Sequence, residues 1–337
     1  MERITVIGGS GAVGREVCAA LRRVYPGEVV AVGRDPAKLD TLPGVRALPA
    51  DITRDEGLTR ALDGADAVVM CTEQDGGRVA RACLERGMGY VDVSASAPRL
   101  RAVAALDGLA RRRGATAVLS VGLAPGATNL LARSATDAGG AGPIRIGVLV
   151  GAGEHHGPGA LDWILDSMEQ AGGPSRLRFP PPYGVRTAYR FPFSDQYTLP
   201  ETLGAPAAET ALCLDTRVLT PLLATARRPV AARLLRRPRV RAAVRRALLR
   251  VHAGGDGFAV TAARGPVTAW FSGRSQSRAS GVAAALAAGR LPGLAPGVHH
   301  IEQAVEPVGF LTELAGHGFE LGLPEGVLGP GSHYDAQ

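Results

Sequence analysis

Three glycines near the beginning of the chain have the spacing of a phosphate-binding turn. Gly9, Gly11 and Gly14 lie between an apolar run at residues 3–7 and a series of apolar residues at helical spacing. In a strand–turn–helix unit the first glycine permits a tight turn, the second lets a pyrophosphate approach, and the third lets the helix pack closely. Unpaired N–H groups and the positive end of the helix dipole then face the phosphates. The pattern predicts a dinucleotide site formed by Gly9, Ser10, Gly11, Ala12, Val13 and Gly14.

Positive charge follows the second predicted strand, where the adenosine half of such a cofactor would lie. NAD-binding turns usually have an acidic residue about 20 residues beyond the last glycine, and Arg34 occupies this place. A guanidinium suits the 2′-phosphate of NADP, and Lys38 adds charge one helical turn later. The alternative is that Asp35 binds the ribose while Arg34 is a solvated loop residue. The sequence favours NADP(H) over NAD(H).

Further cofactor contacts are expected where the later strands end. Asp51 and Ile52 follow the third predicted strand, at a place where such folds meet the adenine ring. Cys71 and Thr72 end the fourth strand, and Ser94 ends the fifth. The carboxyl ends of parallel strands meet at one edge of a sheet, so we expect these three residues beside the nicotinamide half.

Proton-transfer candidates lie in the second half of the chain. His155 and His156 follow a predicted strand, and an imidazole can exchange a proton near neutral pH. Their alternative role is to cap the next helix from a surface loop. Tyr197 is a third candidate, and an aromatic residue of this kind could equally fill the core. For Asp92, a structural anchor and a role in the site are equally well supported. No His, Cys, Asp or Glu cluster has metal-ligand spacing, so we predict no metal site.

Composition excludes several mechanisms and compartments. Lys38 is the only lysine among 38 basic residues, so the YxxxK pair of short-chain dehydrogenases is absent. The same fact leaves no Schiff-base lysine unless Lys38 itself serves. Four cysteines without paired spacing predict a reduced, cytoplasmic protein without structural zinc. No apolar run has the length of a membrane span, and no signal peptide is expected before the first strand.

Basic charge is concentrated in one segment. Residues 227–250 hold ten arginines and no acid, so the rest of the chain sums to 7 − 10 = −3. Nucleic acid is therefore not an expected partner. The wider segment 226–252 has apolar residues at roughly helical spacing, and a basic amphipathic helix can bind an anionic membrane. We favour the alternative, a helix that covers the substrate cleft or a homodimer edge.

The order of predicted elements defines an α/β fold in two parts. Strands alternating with helices over residues 1–125 predict a Rossmann-type parallel sheet. Residues 126–280 predict a second, α+β domain with a largely antiparallel sheet, which would bind substrate and contribute to a dimer. Helices within 280–320 are expected to return to the first domain. Residues 174–182 are proline-rich and predict a loop.

Four stretches resemble the saccharopine dehydrogenase and reductase family. They are IGGSGAVG at residues 7–14, YVDVS at 90–94, GLAPG at 122–126 followed by NLLA, and the run between residues 296 and 318 that includes PGV, EQ, EP and FL. The first is common to many dinucleotide folds, so the last three make the resemblance specific. Together they extend over nearly the full length of the chain.

The resemblance implies nicotinamide-dependent hydride transfer at a carbon–nitrogen bond, between an imine and a secondary amine. It also implies an amino-acid-derived substrate whose carboxylates are held by arginines, and a homodimer. The lysine–histidine pair of lysine-forming members is missing, which disfavours their reaction. Reduction of a C=C or carbonyl bond remains an alternative, as does a non-catalytic NADP-binding sensor.

Overall fold

A computed structural model describes residues 1–72, 76–154, 158–167, 170–217, 220, 237–250 and 254–324. The first sheet consists of parallel strands: β1 Arg3–Ile7, β2 Glu28–Gly33, β3 Arg46–Pro49, β4 Ala67–Met70, β5 Gly89–Asp92, β6 Thr116–Leu119 and β13 Gly297–His300. Their spatial order is β13-β6-β5-β4-β1-β2-β3. Every residue of β4 and β6 is buried, as expected for parallel strands that are covered on both faces. The predicted Rossmann-type sheet is confirmed.

The second sheet is mixed. Its strands are β7 Ile144–Val150, β8 Pro174–Phe179, β9 Gly184–Arg190, β10 Ala208–Leu214, β11 Gly257–Arg264, β12 Val267–Arg274 and β14 Glu320–Gly322. Their order is β14-β12-β11-β7-β10-β9-β8. Only the central pair, β7 and β10, is parallel, and the other neighbours are antiparallel. This agrees with the predicted, largely antiparallel sheet.

Helices cover both sheets. Their bounds are α1 Ala12–Val24, α2 Pro36–Leu39, α3 Asp55–Leu62, α4 Arg78–Glu85, α5 Ala97–Ala104, α6 Asp107–Arg113, α7 Thr128–Asp137, α8 Pro158–Ser167, α9 Asp195–Leu203, α10 Pro238–Arg250, α11 Gln276–Arg290, α12 Ile301–Ala304 and α13 Pro307–Ala315. Helices α5 and α6 are separated by a break at residues 105–106.

The chain returns to the first sheet after residue 275, before β14 joins the second sheet. Helix α11 packs against α1, and a Cβ atom at Gly281 would lie 2.4 Å from the Cβ of Glu16. Only a residue without a side chain permits this approach. Strand β13 then pairs with β6 at the edge of the sheet. The sequence predicted returning helices but not this strand, which is short and largely polar. The domain boundaries at 125 and 280 stay predictions.

The proline-rich stretch was wrongly predicted to be a loop throughout. Residues Pro174–Phe179 form β8, the edge strand of the second sheet. Proline is tolerated at the first position of an edge strand because the missing N–H removes no ladder hydrogen bond. Edge position is decided by the tertiary structure, so composition alone indicated a loop.

Candidate functional site

The glycine turn joins β1 to α1, and its three glycines have different neighbours. A Cβ at Gly14 would lie 2.2 Å from the carbonyl oxygen of Gly8, and one at Gly9 would lie 2.7 Å from the Cβ of Ala31. These two positions are closed by the protein itself. Apart from its two chain neighbours, a Cβ at Gly11 would have only one described atom within 4 Å, the carbonyl oxygen of Gly8 at 3.2 Å. Gly11 therefore leaves space that a ligand can use.

The N-terminus of α1 completes this turn. Gly11 is the residue before the helix, it has extended backbone geometry, and no side chain caps the helix there. The first N–H groups of a helix lack intrahelical acceptors, so a phosphate can accept from them. Arg15 stabilises the turn because its guanidinium donates to the carbonyl oxygen of Ser10 at 3.0 Å and to that of Lys38 at 3.2 Å.

Charges of both signs surround the end of β2. Arg34 is exposed, and Asp35 caps α2 while its carboxylate lies 3.5 Å from the ammonium of Lys38. The carboxylate of Asp51 accepts from the backbone N–H and hydroxyl of Thr53. These bonds, with a smaller contribution from Arg34, lower the pKa of Asp51. The surface after β2 thus combines two basic side chains, Arg34 and Lys38, with two carboxylates.

Cys71 and Thr72 lie directly beside the glycine turn. The Cys71 N–H donates to the carbonyl oxygen of Ile7 at 2.8 Å, and a Cβ at Gly8 would meet the Cys71 carbonyl at 3.0 Å and the Thr72 Cβ at 3.1 Å. Burial raises the pKa of the half-buried Cys71 thiol well above its usual range. The thiol is therefore neutral near pH 7. The structure brings these two residues to the turn, and their predicted contact with the nicotinamide half of a cofactor stays a prediction.

Ser94 follows β5 and is held by Asp92. The buried carboxylate of Asp92 accepts from the Tyr90 hydroxyl at 2.7 Å and from the Ser94 N–H at 2.8 Å. The Ser94 hydroxyl accepts in turn from the N–H of Ser96 at 3.2 Å. These bonds give Asp92 the role of an anchor for the loop after β5.

A serine–histidine pair lies at the adjoining part of the same sheet edge. The Ser120 hydroxyl lies 2.8 Å from Nδ1 of His300. Burial lowers the pKa of His300 to about 4, opposed by the negative charge of Glu201. Sequence reasoning missed this pair. The signal was weak because 180 residues separate Ser120 from its partner.

The predicted proton-transfer residues are only partly described. His155 and His156 lie outside the described residues. The preceding residue, Glu154, accepts from the N–H groups of Gln276 and Ser277, both at 2.8 Å, which ties this loop to the start of α11. Tyr197 lies on α9 with 40% of its surface exposed, and the guanidinium of Arg101 is 5.6 Å from its ring centre. Its role in proton transfer stays a prediction.

Two buried carboxylates, on α9 and α12, connect these helices to α7 and β10. Asp195 accepts from the hydroxyls of Thr128 and Thr210, and Glu302 accepts from the Asn129 amide at 3.0 Å and the Thr202 hydroxyl at 2.7 Å. Burial raises the pKa of Asp195 to about 6 and raises that of Glu302 as well. We call Thr128, Asn129, Asp195, Thr202, Thr210 and Glu302 the buried polar junction.

A cavity of about 370 Å³ lies apart from the glycine turn, on the second sheet. Arg176, Arg186 and Arg217 line it together with apolar and hydroxyl side chains, and no described residue of the first sheet takes part. The cavity is therefore separate from the sheet edge that carries the predicted cofactor contacts.

The arginine-rich segment is described only from residue 237 to 250. There it contains α10, which packs on α8 through an ion pair between Arg241 and Asp166. The remaining residues of the predicted segment 226–252 lie outside the described part. Among the helices that the structure describes, none has the length and apolarity to cross a membrane. Within the same residues, no three His, Cys, Asp or Glu side chains form a metal-binding group.

Comparisons with known proteins agree with this architecture. Residues 8–139 match a family model described as NAD(P)H-binding. No curated protein sequence matches the chain significantly. Apo saccharopine dehydrogenase (L-Glu forming) from Saccharomyces cerevisiae superposes with a TM-score of 0.63 at 15% identity, over 96% of this chain and 99% of that chain. An amine dehydrogenase from Mycobacterium smegmatis aligns more weakly, with a TM-score of 0.47 at 15% identity over 90% and 96% of the two chains.

The sequence resemblance is thus confirmed at the level of the fold, since both sheets lie within the aligned length of the yeast enzyme. The family model covers the glycine turn, strands β2 to β6 and the whole of α7. The chain carries an NAD(P)H-binding domain within the overall fold of saccharopine dehydrogenase.

Proposed function

We propose that this protein is an NAD(P)-dependent oxidoreductase that transfers a hydride between the nicotinamide and a carbon of a small substrate. The observation that carries the proposal is the open position at Gly11, next to an uncapped helix N-terminus. A pyrophosphate bound there would extend along the edge that holds Cys71, Thr72 and Ser94.

The protein's part in such a reaction is placement and exclusion of water. When bound, the nicotinamide supplies or accepts the hydride at C4. The neutral thiol of Cys71 and the polar groups after β5 would contact that half of the cofactor. Helix α9, which packs beside α5, would cover the edge from the other side. Close approach in a water-poor site is the main requirement for hydride transfer.

For the cofactor we propose NADP(H), held at its 2′-phosphate by Arg34 and Lys38. Arg34 is exposed and free to reorient towards a phosphate. Lys38 would exchange part of its ion pair with Asp35 for the phosphate. For the substrate we propose an imine or secondary amine, as the family resemblance implies. The homodimer and the cytoplasmic location stay predictions.

The test is a titration followed by a turnover assay. NADPH fluorescence should show saturable binding to the wild-type protein, and Gly11→Val should abolish it because a branched side chain would fill the open space. A panel of cyclic imines should then oxidise bound NADPH, which is followed as a fall in absorbance at 340 nm. Tight binding without turnover on imines, enones or carbonyls would favour a non-catalytic NADP-binding sensor instead.

The histidine hypothesis needs its own assay. If His155 or His156 transfers the proton, the double alanine variant should lose turnover while NADPH affinity stays the same. Full activity of that variant on an identified substrate would show that neither histidine transfers the proton. Tyr197→Phe is the matched test for the phenol, because it keeps the ring against Arg101.

A further inference from the structure

Ser120 and His300 end two neighbouring parallel strands. His300 pairs in register with Leu119, the last residue of β6, and Ser120 follows directly. Cys71 and Ser94 follow β4 and β5 at the same carboxyl edge. In open parallel sheets, substrates bind beyond this edge. The pair therefore lies on the side of the sheet where the proposed reaction would occur.

Ser120 is held in a backbone conformation that serine rarely adopts. It is fully buried with a φ of 57°, in the left-handed region. The turn is fixed by the Val121 N–H, which donates to the carbonyl oxygen of Asp92 at 3.1 Å, and by the Leu123 N–H, which donates to the Ser280 hydroxyl at 3.1 Å. Glycine would adopt this conformation without strain. The serine adds a hydroxyl beside Nδ1 of His300.

The hydrogen bonds of His300 define which ring nitrogen carries the proton. The Ser120 hydroxyl is fully buried, and Nδ1 of His300 is its only hydrogen-bond acceptor among the described residues; the Gln303 side chain separately accepts from the His300 backbone N–H at 3.1 Å. The hydroxyl proton therefore points to Nδ1, and an accepting nitrogen is unprotonated. The proton of the neutral ring is thereby assigned to Nε2, which has no hydrogen-bond partner among the described residues.

We infer that His300 is a catalytic residue of the proposed reaction, and that its Nε2–H donates a hydrogen bond to the heteroatom of a neutral C=N or C=O group. Ser120 is its positioning residue, because its hydroxyl holds Nδ1 as an acceptor. The inference rests on the proposed oxidoreductase function and specifies its substrate as one that offers a lone pair.

The electron balance of the step is simple. The imine carbon receives the hydride, the C=N π pair moves to nitrogen, and nitrogen takes a proton from water. The substrate is reduced by two electrons and the dinucleotide is oxidised by two. His300 polarises the double bond and keeps its own proton. A neutral imidazole can act in this way when its environment disfavours imidazolium.

Charge around the ring agrees with this role. Burial lowers the pKa of His300 to about 4, and Glu201 on α9 is the charged group that opposes the shift. His299, its neighbour on β13, is directed elsewhere, with its Nε2 3.1 Å from the carbonyl oxygen of Ala295. Protonation of Nδ1 would also leave the buried Ser120 hydroxyl without its acceptor. The ring should therefore stay neutral across the physiological range.

The first arm of the test needs no activity. In ¹⁵N–¹H NMR spectra of the full chain, His300 should show the Nε2–H tautomer and no titration between about pH 5.5 and 8. His300→Asn assigns the signal, and it keeps a good cap for α12. A proton on Nδ1, or titration near pH 6.5, would overturn the inference whether or not a substrate is known.

The second arm measures turnover on an imine that the wild type reduces. His300→Asn should lower kcat by about 10²–10³-fold, the usual loss when one donor to a developing charge is removed. NADPH affinity should not change. Ser120→Gly should relieve backbone strain and still lower kcat, whereas His299→Asn, the matched control, should be neutral. Full kcat in His300→Asn would overturn the inference while leaving the oxidoreductase intact; absence of wild-type turnover would instead contradict the proposed function.

Discussion

The glycine turn and the buried polar junction are opposite ways of building a site. The turn consists of consecutive residues, and its key property at Gly11 is the absence of a side chain. The junction consists of side chains that lie 67, 100 and 173 residues apart along the chain in its three longest pairings. One is open to a ligand, and the other is closed around its own hydrogen bonds.

The turn is suited to ligand binding, whereas the junction stabilises the fold. The open position at Gly11 can accommodate the atoms of a ligand, because the described protein leaves that space free. Its contribution to the free energy of unfolding should therefore be small. The junction joins α7, α9, β10 and α12, so a lost partner there leaves a buried polar group unpaired. Such groups cost about 1–3 kcal/mol each. Changes at the open position Gly11 should therefore affect ligands, and changes in the junction should affect folding.

The largest expected effect is the loss of folding when a side chain is added at Gly14, where the backbone of Gly8 already fills the space. Gly14→Val places a side chain against the Gly8 backbone, where even Cβ would lie at 2.2 Å, so the first sheet should not fold normally. Circular dichroism and thermal unfolding measure this. Gly11→Val should retain the wild-type melting curve and lose only NADPH binding. Gly289→Ala, in an open position of α11, is the folding control and should be neutral or slightly stabilising.

The next effect tests the junction directly. Glu302→Ala leaves the Asn129 amide and the Thr202 hydroxyl without their acceptor in the core, so the free energy of unfolding should fall by about 2–6 kcal/mol. Urea denaturation measures the loss. Glu313→Ala removes an exposed partner of Arg290 and should cost about 1 kcal/mol or less. Equal losses in the two variants would show that the buried polar junction contributes no more to stability than an exposed ion pair.

The pH dependence of stability should reveal Asp195. Its pKa is about 6 in the folded protein against an ordinary value of 3.8, so between these pH values the folded state holds a proton that the unfolded chain has released. Stability should therefore fall as pH rises from about 4 to about 6, by ~3 kcal/mol for a two-unit shift. Asp195→Asn should remove this contribution from the slope. An unchanged slope in that variant would show that Asp195 does not titrate as described.

The smallest effect concerns the ligand alone. Arg34→Asp should weaken NADPH binding by about tenfold or more, ~1.4 kcal/mol, and change NADH binding much less. The melting temperature without cofactor should not change, because Arg34 is exposed. Fluorescence titrations with both cofactors decide the matter. A parallel loss for NADH would mean that Arg34 does not recognise the 2′-phosphate.

The sequence by itself determined the features that depend on neighbouring residues. The glycine turn, the alternation of strands and helices, and the positions of Cys71, Thr72 and Ser94 at strand ends follow from local periodicity and turn chemistry. Only the tertiary structure decided that β8 is an edge strand, that β13 returns to pair with β6, and that His300 meets Ser120. These contacts join residues far apart in the chain, and no local pattern encodes which distant side chain completes a hydrogen bond. The packing of whole elements brings such groups together. The glycine turn was therefore predictable from the sequence, and the serine–histidine pair was not.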